Sequence, residues 1–383
     1  MSERRLIPIL AMALALAGTV RGQITWAGDI AVTMKGLDQH LVDNTNIRGD
    51  NPFSNLRLRL FPRHWISPRV ALIGELLYDS GVRGGSIRVN GAYLVVNELL
   101  GKPWLNMKAG LIPSPFGNYG LRSTYFNLNP LIGVPLLWHH RTPLETDVYP
   151  QTDNLRAMRA APRGYMPVGY DACWEIGWEL FGELGLLEYS LALTEGTLSN
   201  PTERNNLGRQ VIVKAGLNPL AGLRFGGSVA YGPYLNAAAA DADNPRVEDF
   251  NATVVGVYGE YKARFLQLHS EAVQATYESP YITGEEQLSI WTGYLEGRFD
   301  ILPVLYLAAR YDRFLYSDLL NASTGDTEPW GNPVDRIEAG IGYRISREMM
   351  LKLVYQYNNR PQAAALGGPG ITHVAAMQLH MVF

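Results

Sequence analysis

Hydrophobic and polar residues alternate along much of this chain with a period of two. Near the end of the chain, Ala375, Met377, Leu379, Met381 and Phe383 fall on one face, and mostly polar residues stand between them. Because successive side chains of a β-strand point to opposite faces, this pattern predicts strands with one apolar and one polar face. The same alternation recurs from residue 24 onward, so we predict an all-β protein.

Sixteen segments carry the signal, each about as long as a tilted strand that crosses a bilayer. Segment 250–261 is ambiguous, because Val254, Val255 and Val257 cannot all face the same way. An even number of such strands predicts an antiparallel transmembrane β-barrel, although a soluble sandwich or propeller has similar strand spacing. The predicted strands are residues 24–34, 55–61, 68–78, 86–96, 104–112, 171–181, 185–195, 208–217, 220–231, 250–261, 264–276, 287–299, 303–313, 334–345, 348–358 and 371–383.

The connections between the predicted strands alternate between short and long. Short turns such as 218–219 and 262–263 alternate with longer links that contain polar segments such as 241–245 and 321–332. Outer-membrane barrels have this arrangement, with short periplasmic turns opposite longer extracellular loops. The third long connection, residues 113–170, is much longer than the others and shows no amphipathic strand. A loop of this length in a compact domain usually has a function of its own.

The first 22 residues have the pattern of a secretory signal peptide. Arg4 and Arg5 precede an apolar run over residues 6–17, and Val20 and Gly22 stand at the −3 and −1 positions of a cleavage site. The apolar run is too short to span a bilayer as a helix, although a buried N-terminal helix is an alternative. We therefore expect a signal peptide over residues 1–22 and one barrel domain over residues 23–383.

The composition narrows the possible partners and folds. The formal net charge is −3, and this mild acidity argues against nucleic-acid binding, for which a basic patch is expected. After the signal peptide, no run of 18 apolar residues predicts a membrane-spanning helix. The single cysteine, Cys173, has no partner for an internal disulfide, so we expect a fold without disulfides.

Two short stretches resemble known sequences. The terminal Phe383 is similar to the C-terminal sorting signal of Gram-negative outer-membrane barrels, and residues 108–117 (KAGLIPSPFG) resemble the G-x-x-x-x-P-F-G pattern of phosphate-selective porins of the O/P type. Together with the strand count and the long third loop, the chain resembles a Gram-negative porin. The resemblance implies a passive, water-filled pore without a cofactor in the outer membrane, in contact with lipid and lipopolysaccharide. It also implies a homotrimer, small hydrophilic or ionic solutes, and a third loop that folds into the barrel as its constriction.

Charged side chains on the inward parity, and in the third loop, are then candidates for pore lining. The near wall and the loop are rich in arginine, whereas the inward positions across the barrel include Glu271, Asp312 and Glu338. Segregated charges in a narrow pore create a transverse field, and the basic side predicts a mild preference for anions. The candidate residues are Arg57, Arg59, Glu75, Arg88, Lys108, Arg141, Glu145, Asp147, Asp153, Arg156 and Arg159.

The chain departs from phosphate-selective porins in one respect. Those porins carry a lysine cluster at the constriction, and residues 113–170 contain no lysine. We therefore do not predict phosphate as the solute.

Other functional classes fit the sequence less well. His139 and His140 stand near Glu145 and Asp147, but no catalytic or metal-binding motif is present, and residues 136–140 are better explained as a hydrophobic foot that packs the loop into the wall. A plugged importer would need a plug domain before the first strand, and an apolar-solute channel would need fewer inward charges. A non-conducting barrel with an anchoring or surface-interaction role remains the alternative.

Overall fold

The structure is a computed structural model that describes most of the chain after the predicted signal peptide. Residues 1–22 and Cys173 lie outside the described residues, as do the side chains of Asp38, Ala157, Arg159 and Ala160. The described residues are 24–38, 44–45, 51–81, 85–120, 128–160, 166–170, 174–199, 208–282, 286–320, 325–361 and 370–383.

Strands dominate the described part of the chain. In chain order they are β1 (Ile24–Asp38), β2 (Leu56–Ser67), β3 (Val70–Asp79), β4 (Ser86–Val96), β5 (Asn106–Pro113), β6 (Trp174–Leu184), β7 (Leu187–Thr194), β8 (Gln210–Leu220), β9 (Leu223–Pro233), β10 (Asn251–Lys262), β11 (Leu266–Tyr277), β12 (Leu288–Leu302), β13 (Leu305–Tyr316), β14 (Asp318–Leu320), β15 (Thr327–Pro329), β16 (Val334–Arg344), β17 (Met349–Asn359) and β18 (Ile371–Val382). Sixteen of them form a closed antiparallel barrel, which confirms the predicted fold class. The other two, β14 and β15, pair as a small separate sheet.

The barrel closes where β18 pairs with β1. The register runs from Asp29 opposite Val382 to Asp38 opposite Val374. Beyond it, the backbone groups of Gly28 and Phe383 exchange two hydrogen bonds of 2.8 and 2.9 Å. The Phe383 ring lies so close to Gly28 that a Cβ there would come within 2.6 Å of it. Glycine at position 28 therefore makes room for the terminal aromatic ring at the closing seam.

Outward and inward side chains alternate along the strands. Val254 is 3% exposed, whereas Val255 and Val257 are 46% and 60% exposed, so the ambiguous segment places Val254 inside and the other two outside. Large exposed apolar side chains such as Trp178 and Leu295 continue this outer surface around the barrel. An apolar belt of this kind is the surface that a bilayer requires of a spanning barrel.

The two ends of the barrel differ in their connections. We call them the short-turn end, with links such as residues 185–186 and 221–222, and the long-loop end, which carries residues 114–173. The long loop includes a short 3-10 helix (Leu136–Trp138) and the helix α1 (Thr152–Ala160). Among the described residues, no helix is both long enough and apolar enough to cross a bilayer.

The inward face of the barrel is more apolar on one side than the sequence suggested. Ile212, Val273, Ile290 and Phe314, from β8 to β13, are almost completely buried in one cluster with residues of the long loop. The inward charges of the sequence, considered alone, did not predict this apolar cluster. Its side chains pack against the loop instead of facing water, so they do not need to be polar.

A charge on the outer face should destabilise the barrel according to its depth. Leu295 stands in the middle of β12 and is 58% exposed, so Leu295→Arg should lower the free energy of unfolding by about 2–4 kcal/mol. Leu302, at the short-turn end of the same strand, is the matched control, and Leu302→Arg should cost about 1 kcal/mol or less. Urea titration of the protein folded into lipid vesicles measures both free energies of unfolding. Equal losses in the two variants would contradict the prediction that the middle of β12 lies at the centre of the bilayer.

Candidate pore constriction

The long loop turns into the barrel at the predicted Pro-Phe-Gly sequence. Phe116 is buried, and Gly117 adopts a positive φ of 63°. A Cβ at Gly117 would stand 3.0 Å from Glu271 Oε1 and 3.1 Å from the Trp138 ring. Glycine is therefore favoured here both by the left-handed backbone and by the close approach of the wall.

Backbone groups of Gly117 bind the inner wall of the barrel directly. Its N–H donates to Ser228 Oγ at 3.0 Å, and its carbonyl accepts a bond from Lys214 Nζ at 2.7 Å. Ser228 and Lys214 lie on β9 and β8, four and three strands along the wall from β5, where the loop begins. The loop therefore turns inward and contacts another part of the inner wall within a few residues of leaving β5.

Glu271 of β11 anchors the next turn of the loop. Its Oε1 accepts hydrogen bonds from the backbone N–H groups of Asn118 and, at 2.8 Å, Tyr119. Its Oε2 accepts a bond of 2.8 Å from Trp138 Nε1. Hydrogen bonds to a buried carboxylate are stronger than those between neutral groups, so one side chain holds two separate parts of the loop against the wall.

Two further carboxylates, Glu338 and Asp312, hold the deep segment, which we define as residues 128–140. The backbone N–H groups of Ile132 and Gly133 donate to Glu338 Oε1 at 3.1 and 2.8 Å. The N–H of Leu136 donates to Asp312 Oδ1 at 2.9 Å. These bonds satisfy backbone donors that would otherwise be buried without partners, which is costly.

Basic and hydroxyl groups of the wall bind the carbonyls of the same segment. Lys352 Nζ donates to the carbonyls of Asn129 and Leu131 at 2.6 and 3.3 Å, and Tyr306 donates to that of Pro130 at 2.9 Å. The deep segment contains no acidic or basic side chain apart from its two histidines. Apart from the bond between Trp138 and Glu271, the contacts described between the charged wall and the deep segment are therefore made to the backbone of the segment.

Arg310 of β13 connects these anchors. Its guanidinium lies 3.2 Å from Glu296, 2.9 Å from Asp312 and 2.9 Å from Glu338, and all four side chains are fully buried. The same guanidinium donates to the carbonyl of Gly133 at 3.0 Å. One cation thus partly balances three carboxylates, two of which bind the loop.

The predicted hydrophobic foot is confirmed. Leu136, Leu137 and Trp138 are at most 1% exposed and lie against β12 and β13. The His140 ring packs edge-on against Phe314, with 4.8 Å between ring centroids. Within the described part of the chain, no three His, Cys, Asp or Glu side chains are grouped so that they could hold a metal ion.

The outer limb of the loop, residues 144–160, contacts other loops at the long-loop end. Asn236 donates to Asp147 at 2.7 Å, and Arg156 lies 3.2 Å from Glu328 of β15. Tyr149 donates to the carbonyl of Asn244 at 2.9 Å. The outer limb is therefore held in place at the mouth of the barrel by loops from several strands.

A further contact between loops at this end, from Tyr281 to Asp241, depends on pH. The Tyr281 hydroxyl donates to Asp241 and holds the pKa of that carboxyl below its usual range. A lowered pKa means that the charged form is favoured in the folded protein. The contact is therefore complete at neutral pH and is lost only as the pH falls through that lowered value.

Five predicted pore residues lie on the inward wall of β2–β5, which we call the near wall. Arg57 Nε is 3.1 Å from Asp79, and Arg59 Nε is 3.7 Å from Glu75, which also accepts a bond of 3.2 Å from Asn90. These two arginines and their carboxylates are at most 5% exposed. Arg57 and Arg59 therefore give the near wall no surplus of positive charge, because each of these arginines has an acidic neighbour on the next strand.

The other predicted residues are spread more widely. Arg88, opposite Leu77 in the register, donates to Ser86 at 3.1 Å, and Lys108 lies 2.7 Å from Glu179. In the loop, Arg141 pairs as an isolated bridge with Pro167. Glu145 is half-buried, Asp153 is exposed, and Asp147 and Arg156 lie in the outer limb described above. Arg159 lies in α1, and its side chain is outside the described part.

A cavity of about 400 Å³ lies between the start of the loop and the inward face of β5–β9. Arg224 forms a two-point bond with Glu188 at 2.7 and 2.9 Å and donates to Asn118 of the loop at 2.8 Å. Both signs of charge alternate around this space. Its charged lining residues are Lys108, Glu179, Glu183, Glu188, Lys214 and Arg224.

Sequence reasoning assigned no role to Arg310, Lys352, Lys214 or Arg224. All four stand on the inward parity of their strands, as Arg310 between the outward residues Ala309 and Tyr311 illustrates. Parity therefore could have identified them as inward charges. It could not have shown that they bind the loop, because the path of a loop has no periodic signal.

Loss of the Glu271 carboxylate should release the loop. Glu271→Ala leaves three buried donors without their acceptor, so the free energy of unfolding should fall by about 3 kcal/mol. Glu271→Gln keeps the shape and one acceptor oxygen and should show a smaller loss. Urea titration in lipid vesicles gives both values; equal stability of Glu271→Ala and the original protein would contradict an anchoring role.

Comparisons with known proteins support the fold, although no protein-family model matches the sequence and no curated protein matches it. The structure is similar to an anion-selective porin from Comamonas acidovorans, with 10% identity, 95% of this chain and 100% of that chain covered, and a TM-score of 0.56. It is similar to the outer membrane channel DcaP of Acinetobacter baumannii, with 13% identity, 94% and 97% coverage, and a TM-score of 0.54. The trimer form of OmpT, an outer membrane protein of Vibrio cholerae, shares 10% identity, with 94% and 99% coverage and a TM-score of 0.54. The chain therefore has the fold of the outer-membrane porins.

Proposed function

We propose that this protein is an outer-membrane porin through which small hydrophilic or ionic solutes diffuse passively. The observation that carries the proposal is the path of the long loop. Its deep segment binds Glu338 and Asp312 on the far side of the barrel, and a polar cavity remains between the loop and β5–β9. A loop held across a barrel in this way narrows the interior without filling it, as a diffusion channel requires.

The proposed orientation places the short-turn end in the periplasm and the long loops outside the cell. Residues 1–22 would direct export and then be removed. The apolar outer belt would contact lipid, and the rim at the long-loop end would contact lipopolysaccharide. The porin would work without a cofactor and without catalysis.

We also propose a homotrimer. One similar structure is described as a trimer form, and an apolar groove of about 1050 Å³ runs over the outer face of β11–β13, β16–β18 and β1. Gly297, Ala309 and Ala339 stand side by side on neighbouring strands in this groove. Small residues allow close approach of another barrel in a membrane, where apolar surface alone gives no preference over lipid.

The proposed ion selectivity is weak. The sequence suggested a mild anion preference from the basic near wall, but Arg57 and Arg59 each have a carboxylate beside them. A pore with paired charges has little net field to separate anions from cations.

A non-conducting barrel is the second candidate, and one observation favours it. Apolar side chains of the loop and the wall, including Leu131, Trp138, Ile290 and Phe314, pack as in a protein core. An anchoring or surface-interaction barrel would be filled in the same way. The two candidates differ in one measurable property, which is conductance.

Single-channel recording in a planar bilayer should show discrete current steps for the purified protein. Replacement of residues 129–138 by a short Gly-Ser linker should raise the conductance of each step, because it removes the part of the loop that crosses the interior. Absence of steps in the unmodified protein would support the non-conducting barrel. Steps of unchanged size in the linker variant would show that the loop is not the constriction.

Neutralisation of the near wall should shift ion selectivity. In the double variant Arg57→Gln/Arg59→Gln, the carboxylates of Asp79 and Glu75 lose their positive neighbours, so the reversal potential in a salt gradient should move toward cations. Arg313→Gln, which changes an exposed arginine in an ion pair with Asp335 on the outer face, is the control and should leave the potential unchanged. An unchanged reversal potential in the double variant would show that the near wall does not line the conducting path.

A further inference from the structure

We propose that the cavity between the loop and β5–β9 selects small zwitterionic solutes, which carry one ammonium and one carboxylate group, over uncharged solutes of the same size. This inference rests on the proposed porin function and specifies the solute class. The cavity, of about 400 Å³, is lined by three carboxylates and three basic groups. A space of this size is large enough for a small organic solute.

Two of the three lining carboxylates lie toward the short-turn end, with Arg224 beside one of them. Glu183 and Glu188 stand directly opposite each other on β6 and β7. Glu188 is bound by Arg224, whereas Glu183 is exposed and has no ion-pair partner within the described residues. Like charges directly opposite on neighbouring strands are unfavourable. An ammonium group placed beside Glu183 would relieve this repulsion.

Two of the three basic groups, Lys108 and Lys214, lie farther from the short turn of β6 and β7 than Glu183 does. Lys108 pairs with Glu179 at 2.7 Å and is 19% exposed, and Lys214 binds the carbonyl of Gly117 at 2.7 Å. An ammonium group has three donors, and each of these bonds uses one of them. Both lysines line the cavity, so a solute carboxylate that enters can accept a bond from either of them.

The balance of the two signs favours a dipolar solute over a simple ion. Three basic and three acidic groups leave no net charge to attract an anion or a cation. A zwitterion can bind Glu183 with its ammonium group and Lys108 or Lys214 with its carboxylate at the same time. A simple ion gains only one of these contacts, and an uncharged solute gains neither.

Glycine and glycolamide provide the test, because they are isomers and only glycine is zwitterionic at neutral pH. Their entry into proteoliposomes that contain the full mature chain can be compared by osmotic swelling. We expect glycine to enter about two- to fivefold faster than glycolamide, the range for one partly exposed ion pair. Methylammonium and acetate, each with a common counter-ion, should show no such advantage over glycolamide.

The variant Glu183→Gln should abolish the advantage of glycine and leave the entry of glycolamide unchanged. Because Glu183 is exposed, this substitution should not disturb folding. Glu348→Gln is the matched control, since Glu348 lies in a short turn outside the cavity and binds Ser346. The control should keep the full advantage of glycine.

The outcomes separate this inference from the function on which it rests. If neither isomer enters, the porin function fails. If both isomers enter at equal rates, the barrel conducts but the zwitterion site is wrong. An equal advantage for methylammonium and glycine would indicate a site for cations. Retention of the glycine advantage in Glu183→Gln would show that Glu183 does not bind the ammonium group. Either result overturns the inference.

Discussion

A strand inside a bilayer can satisfy its backbone groups only by pairing along both edges, and the rest of this structure depends on that requirement. The ring closes where β18 meets β1, and Gly28 and Phe383 add two more backbone bonds there. Once every strand edge is used, the wall has no free backbone groups for the interior. The material that narrows the barrel therefore comes from a loop, and only side chains of the wall can hold that loop.

The loop brings the same backbone problem into the interior. Residues 116–120 and 128–138 are not part of a strand, so their N–H and C=O groups need partners other than neighbouring strands. Glu271, Glu338 and Asp312 supply acceptors, and Lys352 supplies donors. The inward charges of β11–β17 thus act mainly as structural groups. Their burial with Arg310 explains why this side of the barrel can be highly charged and yet contain packed apolar clusters.

The sequence was sufficient for the barrel and insufficient for the loop. Alternation predicted all sixteen barrel strands, because each inward position is fixed by its neighbours, and it correctly placed Arg57 and Glu271 on the inside. The ambiguous Val254 needed the pairing partner on β9 or β11 to decide its side. Charged loop residues such as Asp147 and Arg156 lie at the mouth, whereas the uncharged deep segment crosses the interior. The prediction from loop charges therefore selected residues at the mouth and missed the segment that lies deepest. Loops have no periodic pattern from which that segment could have been predicted.

Division of the interior into two halves also changes how selectivity should be understood. On the loop side, wall charges bind the loop backbone, so in the proposed porin a solute would not meet them. On the side of β5–β9, the charges line a cavity, but each basic group already has a carboxylate or a carbonyl beside it. A solute there has to compete with existing bonds, and a molecule that offers both signs replaces an ion pair with less loss than a single ion does. In the proposed porin, pairing of the wall charges, more than their number, would then determine which solutes gain from entering.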